Sequence, residues 1–337
     1  MSKSKKCCFT SANHAYFGRA RLLAETFKAH NPDVDFILVL NDKSQRGALN
    51  TTAQEPFDRI IEIEDLGIDD FDSWSFGHNV VELCTAVKPS AARVLLDQYD
   101  YVMYLDPDIA VFDSLAGIYA ALDDSPIQLT PHQLQPCAAA PRLITDIELC
   151  SLKHGVFNLG FFAVRACEIG RSFISWWESR VLQYCYEDIA SGVFTDQKWC
   201  DIAPCYFPRL GIVRDFGCNV ASWNLNERFI EYCGDRLLVN GRDSLKFYHF
   251  TKYGGVGDAM TQRYARSPVV HEIWYWYGRM LRQRSLNIPA GGAYWYGTFS
   301  NGQSILDAHR ISYRKLALRG LNPYNYDVFV NACRVDS

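Results

Sequence analysis

The sequence predicts an α/β fold: a Rossmann-like, mostly parallel sheet with helices on both faces, and a smaller helical and irregular C-terminal extension. Two observations carry this. Short apolar runs alternate with stretches of helical periodicity through the first hundred or so residues, the pattern of a parallel sheet wound with helices. The run Tyr101–Leu105 is apolar at every position and closes on Asp106-Pro107-Asp108, which reads as a fully buried strand ending at its carboxyl edge.

The elements follow in order. Residues 6–10 read as the first strand. Helix 15–29 follows, with Phe17, Ala20, Leu23, Ala24 and Phe27 on one face. Asn31-Pro32-Asp33 stops it, 36–40 is the second strand and 59–63 the third. Two helical segments meet at Lys88-Pro89, with Pro89 suited to a first turn; the second runs over 90–98 into the Asp-Pro-Asp strand. Further on, 127–131 reads as a strand, 131–141 as a loop, and 155–164 as a long apolar strand interrupted by Asn158 and Gly160. An amphipathic helix spans 165–186. Thr195 reads as an N-cap for a short helix through Asp201, and 245–252 as a strand ending in His249 and Lys252.

Composition bounds the rest. The 337 residues carry 48% hydrophobic and 21% charged side chains, which excludes a disordered chain. A net charge of −4 argues against general nucleic-acid binding. No apolar run reaches the roughly 20 residues needed to span a bilayer, and the N-terminus lacks the apolar segment of a signal peptide. The twelve cysteines are scattered, form no CxxC pair, and read as reduced, buried small hydrophobes of a cytoplasmic protein.

The chemistry centres on Asp106 and Asp108. Pro107 ends the strand, so two carboxylates stand at the sheet edge where open α/β sheets bind ligands. Hard oxygen ligands there suit Mg²⁺ or Mn²⁺ bridging a diphosphate; the same residues are also ordinary in a solvated turn. Asn158 in an apolar strand requires partners, and Gly160 permits close approach by a ligand or marks a bulge. Asp196 in a first helical turn is equally explained by the helix dipole, and His249 by packing.

Taken in order, Asp106/Asp108, Phe157-Asn158-Leu159-Gly160, Asp196-Gln197, Trp223-Asn224 and His249-Phe250-Thr251-Lys252 resemble the GT-A-fold glycosyltransferases, the retaining family 8 group in particular, over residues 6–255. The last segment departs from that family's longer His-x-x-Gly-x-x-Lys-Pro-Trp pattern. The resemblance implies transfer of a sugar with retention from a nucleotide-sugar, a UDP-sugar in the first instance, to a glycan or lipid-linked acceptor. It implies Asp106, Asp108 and His249 as ligands of Mn²⁺ or Mg²⁺ and Lys252 beside the phosphates. Thr10, Ser11, Ala12, Asn13 and Asp42 would then contact the nucleoside, and Lys88 and Asn224 the donor. Asn158, Asp196 and Gln197 would line the sugar side, with Asp196 and Gln197 near the anomeric carbon.

Residues 1–257 are thus expected to form the catalytic domain. Residues 258–337 form an extension in which Trp274, Trp276, Tyr275 and Tyr277 interleave with Arg279, Arg282 and Arg284. Such a segment suits an anionic membrane surface, giving a protein peripheral to the inner face of the membrane, or packs its aromatics on the catalytic domain. Gly291–Gly297 reads as an aromatic loop near the acceptor. Two other classes compete: a carbohydrate-binding protein on a degenerate transferase fold, and a haloacid-dehalogenase-type phosphohydrolase with Asp106 as nucleophile. The second lacks the Thr or Val that its family places where Ala110 stands, and a later acidic pair.

Overall fold

The computed structural model describes residues 4–43, 55–286, 294–316 and 319–334. A seven-stranded sheet forms its centre. The strands are β1 (Lys6–Ala12), β2 (Asp35–Leu40), β3 (Arg59–Glu62), β4 (Tyr101–Leu105), β6 (Ile127–Pro131), β7 (Phe157–Arg165) and the edge strand Leu210–Ile212. The spatial order is Leu210–Ile212, β6, β7, β4, β1, β2, β3. All neighbours pair in parallel except β7, which runs antiparallel to both β4 and β6.

Alternation along the strands sorts the core into two layers, because successive side chains point to opposite faces. Cys7, Phe9, Ile37, Val39, Val102, Tyr104, Phe162 and Val164 face one layer. Cys8, Phe36, Leu38, Met103, Leu105, Phe161 and Ala163 face the other. Both faces are therefore apolar, as a sheet covered by helices on each side demands. Helix α1 (Phe17–His30) contributes Phe17, Ala20, Leu23, Ala24 and Phe27 to the second layer, and its preceding turn, His14–Tyr16, is 3₁₀. On the first layer lie α2 (Phe71–Phe76), α3 (Val80–Ala86) and α4 (Lys88–Leu96). Helix α3 starts with a reciprocal capping box between Asn79 and Glu82.

A second, three-stranded sheet builds the functional edge. Asp106 to Asp108 turns the chain from β4 into β5 (Ile109–Val111). That strand pairs antiparallel with Phe247–His249, which pairs in parallel with Val220–Ala221. The register sets His249 opposite Ile109. Backbone bonds from Ile109 N to Asp106 O (3.1 Å) and from Phe250 N to Asp108 O (2.8 Å) pin the turn.

The aromatic helix of the C-terminal segment, Pro268–Arg284, packs on this small sheet. Phe250 and Tyr277 stack with ring centroids 3.8 Å apart, and Trp274 Nε1 donates to Tyr248 Oη at 2.9 Å. Ile273, Trp274 and Tyr277 are buried while Tyr275 is exposed. Tyr296, Phe299, Tyr313, Tyr324 and Phe329 join the first core layer around Phe76. Of the expected aromatic loop, 291–293 lie outside the described residues and Trp295–Gly297 form a 3₁₀ turn. Among the described residues no helix is long and apolar enough to cross a membrane.

Several expectations shift in detail. The 141–154 stretch, to which the sequence assigns no element, is helical, including a π-helical turn over Ile144–Leu149. The helix expected over 165–186 spans Glu168–Tyr184. The short helix after Asp196 is 3₁₀, Lys198–Ile202, and Gln197 rather than Thr195 stands at its N-cap. Thr195 instead adopts a left-handed φ of 45° and donates its hydroxyl to Asp196.

Candidate active site

The strand-to-turn geometry brings Asp106, Asp108 and His249 together. One ligand atom from each lies within 4.8 Å of the others. His249 Nε2 is 3.1 Å from Asp108 Oδ1 and 3.6 Å from Asp106 Oδ2. Burial pulls the His249 imidazole down, but Asp108 and then Asp106 more than offset it and hold it above its ordinary value. Burial likewise pushes the Asp108 carboxyl up, yet His249 and, further off, Arg19 bring it below the usual carboxylate range.

Lys88 lies behind this triad. It heads α4 and is 2% exposed, so it is no solvated helix-end lysine. Its ammonium sits 3.3 Å from Asp106 Oδ1 and 3.1 Å from Asp196 Oδ2, donates to Leu159 O at 3.0 Å, and lies over the Tyr104 ring. Burial opposes its charge, but Asp106 and Asp196 raise its pKa on balance and it stays protonated. Tyr104 Oη donates to Asp106 Oδ1 at 2.6 Å. Burial raises the Asp196 carboxyl and Lys88 offsets this only in part. Asp106 and Asp196 thus face one ammonium, while Asp108 faces His249.

The break in β7 supplies these partners. Pairing with β6 shifts register between Leu129 and Pro131, which frees the backbone around Asn158 to Gly160. Leu159 O then accepts from Lys88, and Gly160 O accepts from Asp106 N at 2.8 Å. Asn158 Oδ1 accepts from Gly160 N (3.1 Å) and Asn219 Nδ2 (3.0 Å), and its Nδ2 meets His132 Nε2 at 3.4 Å. The space beside Gly160, expected for a ligand, is filled by the His249 ring. A Cβ built there would fall 2.7 Å from His249 Nδ1.

The remaining predicted residues divide. Gln197 donates to His154 O at 3.0 Å and is met by Leu159 N at 3.4 Å, so its amide is held against β7. Thr10, Ser11, Ala12 and Asn13 end β1 and are buried. There Ser11 Oγ donates to Cys84 O and Asn13 Oδ1 caps the turn at Tyr16, while Thr10 Oγ1 has no hydrogen-bond partner among the described residues. Asp42 accepts from Lys43 N and Trp295 N and sits 3.1 Å from His14 Nδ1. Asn224 is fully buried and bonds Ala221 N and Asn219 O, which shapes the loop rather than facing the acids. Lys252 takes a left-handed φ of 49° in the turn after His249 and has no ion-pair partner among the described residues.

Sequence reasoning missed Tyr104, His132, Asn219 and Arg19. Tyr104 was hidden as one letter of an apolar strand; the other three carry no spacing that links them to the acids. The Trp223 ring stands edge-on to both His132 and His249.

No family model matches the chain. It is similar to two uncharacterized proteins of Bacillus subtilis strain 168. YfnF is 24% identical over 202 residues, 57% of this chain and 65% of the relative. YfnD is 23% identical over 177 residues, 51% and 54%. The match therefore spans less than two thirds of either relative's length. Among solved structures, an active-site mutant of LgtC superposes with a TM-score of 0.50 at 16% identity, covering 87% of this chain and 99% of that one. The chain has the GT-A fold. The galactosyltransferase LgtC in complex with donor and acceptor sugar analogues gives a TM-score of 0.49 at 17% identity over 86% and 99% of the two chains. GlyE of Streptococcus pneumoniae TIGR4 gives 0.47 at 13%, over 83% and 63%.

Proposed function

We propose that this GT-A protein is a metal-dependent hexosyltransferase of the retaining family 8 kind. It moves a sugar from a UDP-sugar to a glycan or lipid-linked acceptor. The observation that carries the reading is the convergence of Asp106, Asp108 and His249 with a buried Lys88 that ties Asp106 to Asp196.

Two carboxylates and one imidazole fit Mn²⁺ or Mg²⁺, the nitrogen ligand favouring Mn²⁺. Such an ion, when bound, would neutralise the diphosphate leaving group. The chain's own residues do the rest. Lys252, with no ion-pair partner among the described residues, offers a point charge to the phosphates. Thr10 to Asn13 and Asp42, at the carboxyl ends of β1 and β2, take the nucleoside, and Asn158 and Gln197 border the sugar.

The acceptor oxygen attacks the anomeric carbon on the face the diphosphate leaves. The glycosidic C–O bond breaks as the new one forms, and the acceptor proton passes to the departing phosphate. Asp196 is nearly inaccessible and salt-bridged to Lys88, which makes it a poor nucleophile and disfavours a covalent intermediate. In this reading residues 1–257 carry the donor site. Residues 258–337 buttress it and border the acceptor side.

The experiment is release of nucleoside diphosphate from a panel of nucleotide-sugars, with and without Mn²⁺. Metal-dependent release from one donor, abolished in Asp108→Ala, supports an enzyme. Tight donor binding with no turnover in the presence of any glycan acceptor supports a binding protein on the same fold.

A further inference from the structure

A chain of hydrogen bonds runs behind the cluster of two acids and an imidazole, and its direction is fixed by backbone atoms. At the outer end, His132 Nδ1 faces Val156 O at 3.3 Å. A carbonyl only accepts, so Nδ1 carries the proton. Burial drives the His132 imidazole down to about 4, so at neutral pH its Nε2 presents a lone pair. The Asn158 amide nitrogen meets that lone pair at 3.4 Å. The opposite end of Asn158 is fixed independently, because Gly160 N–H donates to Asn158 Oδ1 at 3.1 Å.

Asn219 continues the chain. Its Nδ2 donates to Asn158 Oδ1 at 3.0 Å and to Thr130 Oγ1 at 2.8 Å. The Thr130 hydroxyl hydrogen is directed to Asn158 O, which leaves its oxygen to accept. With both donors used, Asn219 Oδ1 faces His249 Nδ1 at 3.3 Å. Asn219 is 1% exposed and sits at φ 53°, a left-handed conformation that asparagine tolerates, immediately before the strand that pairs with Phe247–His249.

We propose that Asn219 is a positioning residue that sets the tautomer of His249. It accepts the Nδ1 proton and so keeps Nε2, 3.1 Å from Asp108 and 3.6 Å from Asp106, as the nitrogen that would turn to an ion held by those acids. The His132–Asn158–Asn219 relay thus fixes which nitrogen would ligate an ion held by those acids. This rests on the metal reading above. Partners of this kind orient an imidazole ligand and are worth about 10- to 100-fold in metal affinity.

The test pairs two readouts on the full chain. Nitrogen-15 spectra of histidine-labelled protein at pH 9 with saturating Mg²⁺, with His249 assigned through His249→Gln, report the tautomer of the loaded site. Mn²⁺ titration by electron paramagnetic resonance reports affinity. The wild type should show the Nδ1–H form. Asn219→Gly, which keeps the backbone conformation, should show mixed tautomers and bind Mn²⁺ about 10- to 100-fold more weakly. An Nε2–H form in the wild type overturns the proposal even if the variant does not fold. So does an unchanged tautomer with affinity within about twofold in the variant. If the wild type binds no divalent ion, the metal reading fails and the relay falls with it, whereas metal binding with the wrong tautomer overturns the relay alone.

Discussion

Gly160 and His249 occupy one another's space: the imidazole lies where a Gly160 side chain would be, with Nδ1 2.7 Å from the position of a Cβ and Cε1 closer still. Two stretches ninety residues apart in the chain, Phe-Asn-Leu-Gly and His-Phe-Thr-Lys, are therefore one packing unit. Gly160→Ala should push the ring off its aim at Asp106 and Asp108 while leaving β7 paired. The expected outcome is Mn²⁺ affinity at least about tenfold weaker, with near-native circular dichroism. Calorimetric titration checks it.

Lys88 offers a second test. Removing it leaves Asp106 and Asp196 facing each other without a counter-charge, and breaking a buried ion pair from one side costs about 3–5 kcal/mol. Lys88→Met should lose stability of that order in urea unfolding. Adding Asp196→Asn should recover part of it, because the uncompensated buried charge is gone.

Much of this was legible in the sequence. Strands β2 and β4 advertised themselves through unbroken apolar runs and α1 through a helical stripe. The acids could be placed because Pro107 can end a strand and little else. What stayed hidden was pairing at a distance. Nothing local in Asn219 says that it faces His249, which depends on the pairing of Val220–Ala221 with Phe247–His249, or in Lys88 that it is buried between two acids, which depends on α4 packing against β4 and β7. The helical turns over 141–154 carry no clean periodicity. Trp274 and Tyr277 looked suited to a lipid surface because burial against Tyr248 and Phe250 cannot be seen from composition.

That last point is testable. Trp274 is 6% exposed and hydrogen-bonded to Tyr248. Trp274→Ala should destabilise the fold by about 3–5 kcal/mol. Substituting the exposed Tyr275 should cost within about 0.5 kcal/mol. Chemical denaturation of the two variants side by side gives the comparison.

Acid should weaken the fold through two buried histidines. Burial drives His78 down to about 3, with Arg314 and Arg310 adding to the effect, and His132 to about 4. Both folded values lie below the unfolded value of about 6.5, so the native state binds fewer protons. Stability is then fully present above pH 6.5 and falls as the pH drops below it, by about 2 kcal/mol per residue at pH 5. Replacing His78 with Gln should flatten the melting-temperature profile between pH 5 and 6.5 relative to wild type.

The central claim is that Asp106, Asp108 and His249 hold a divalent cation that in turn holds a nucleotide-sugar. The most direct measurement is a thermal-shift panel of nucleotide-sugars with and without Mn²⁺, on wild type and Asp108→Ala. One UDP-sugar should raise the melting temperature only with Mn²⁺, by mass action on the folded state, and the shift should vanish in the variant. No shift with any nucleotide or sugar nucleotide under any metal would contradict the account and leave Asp106-Pro107-Asp108 as a turn.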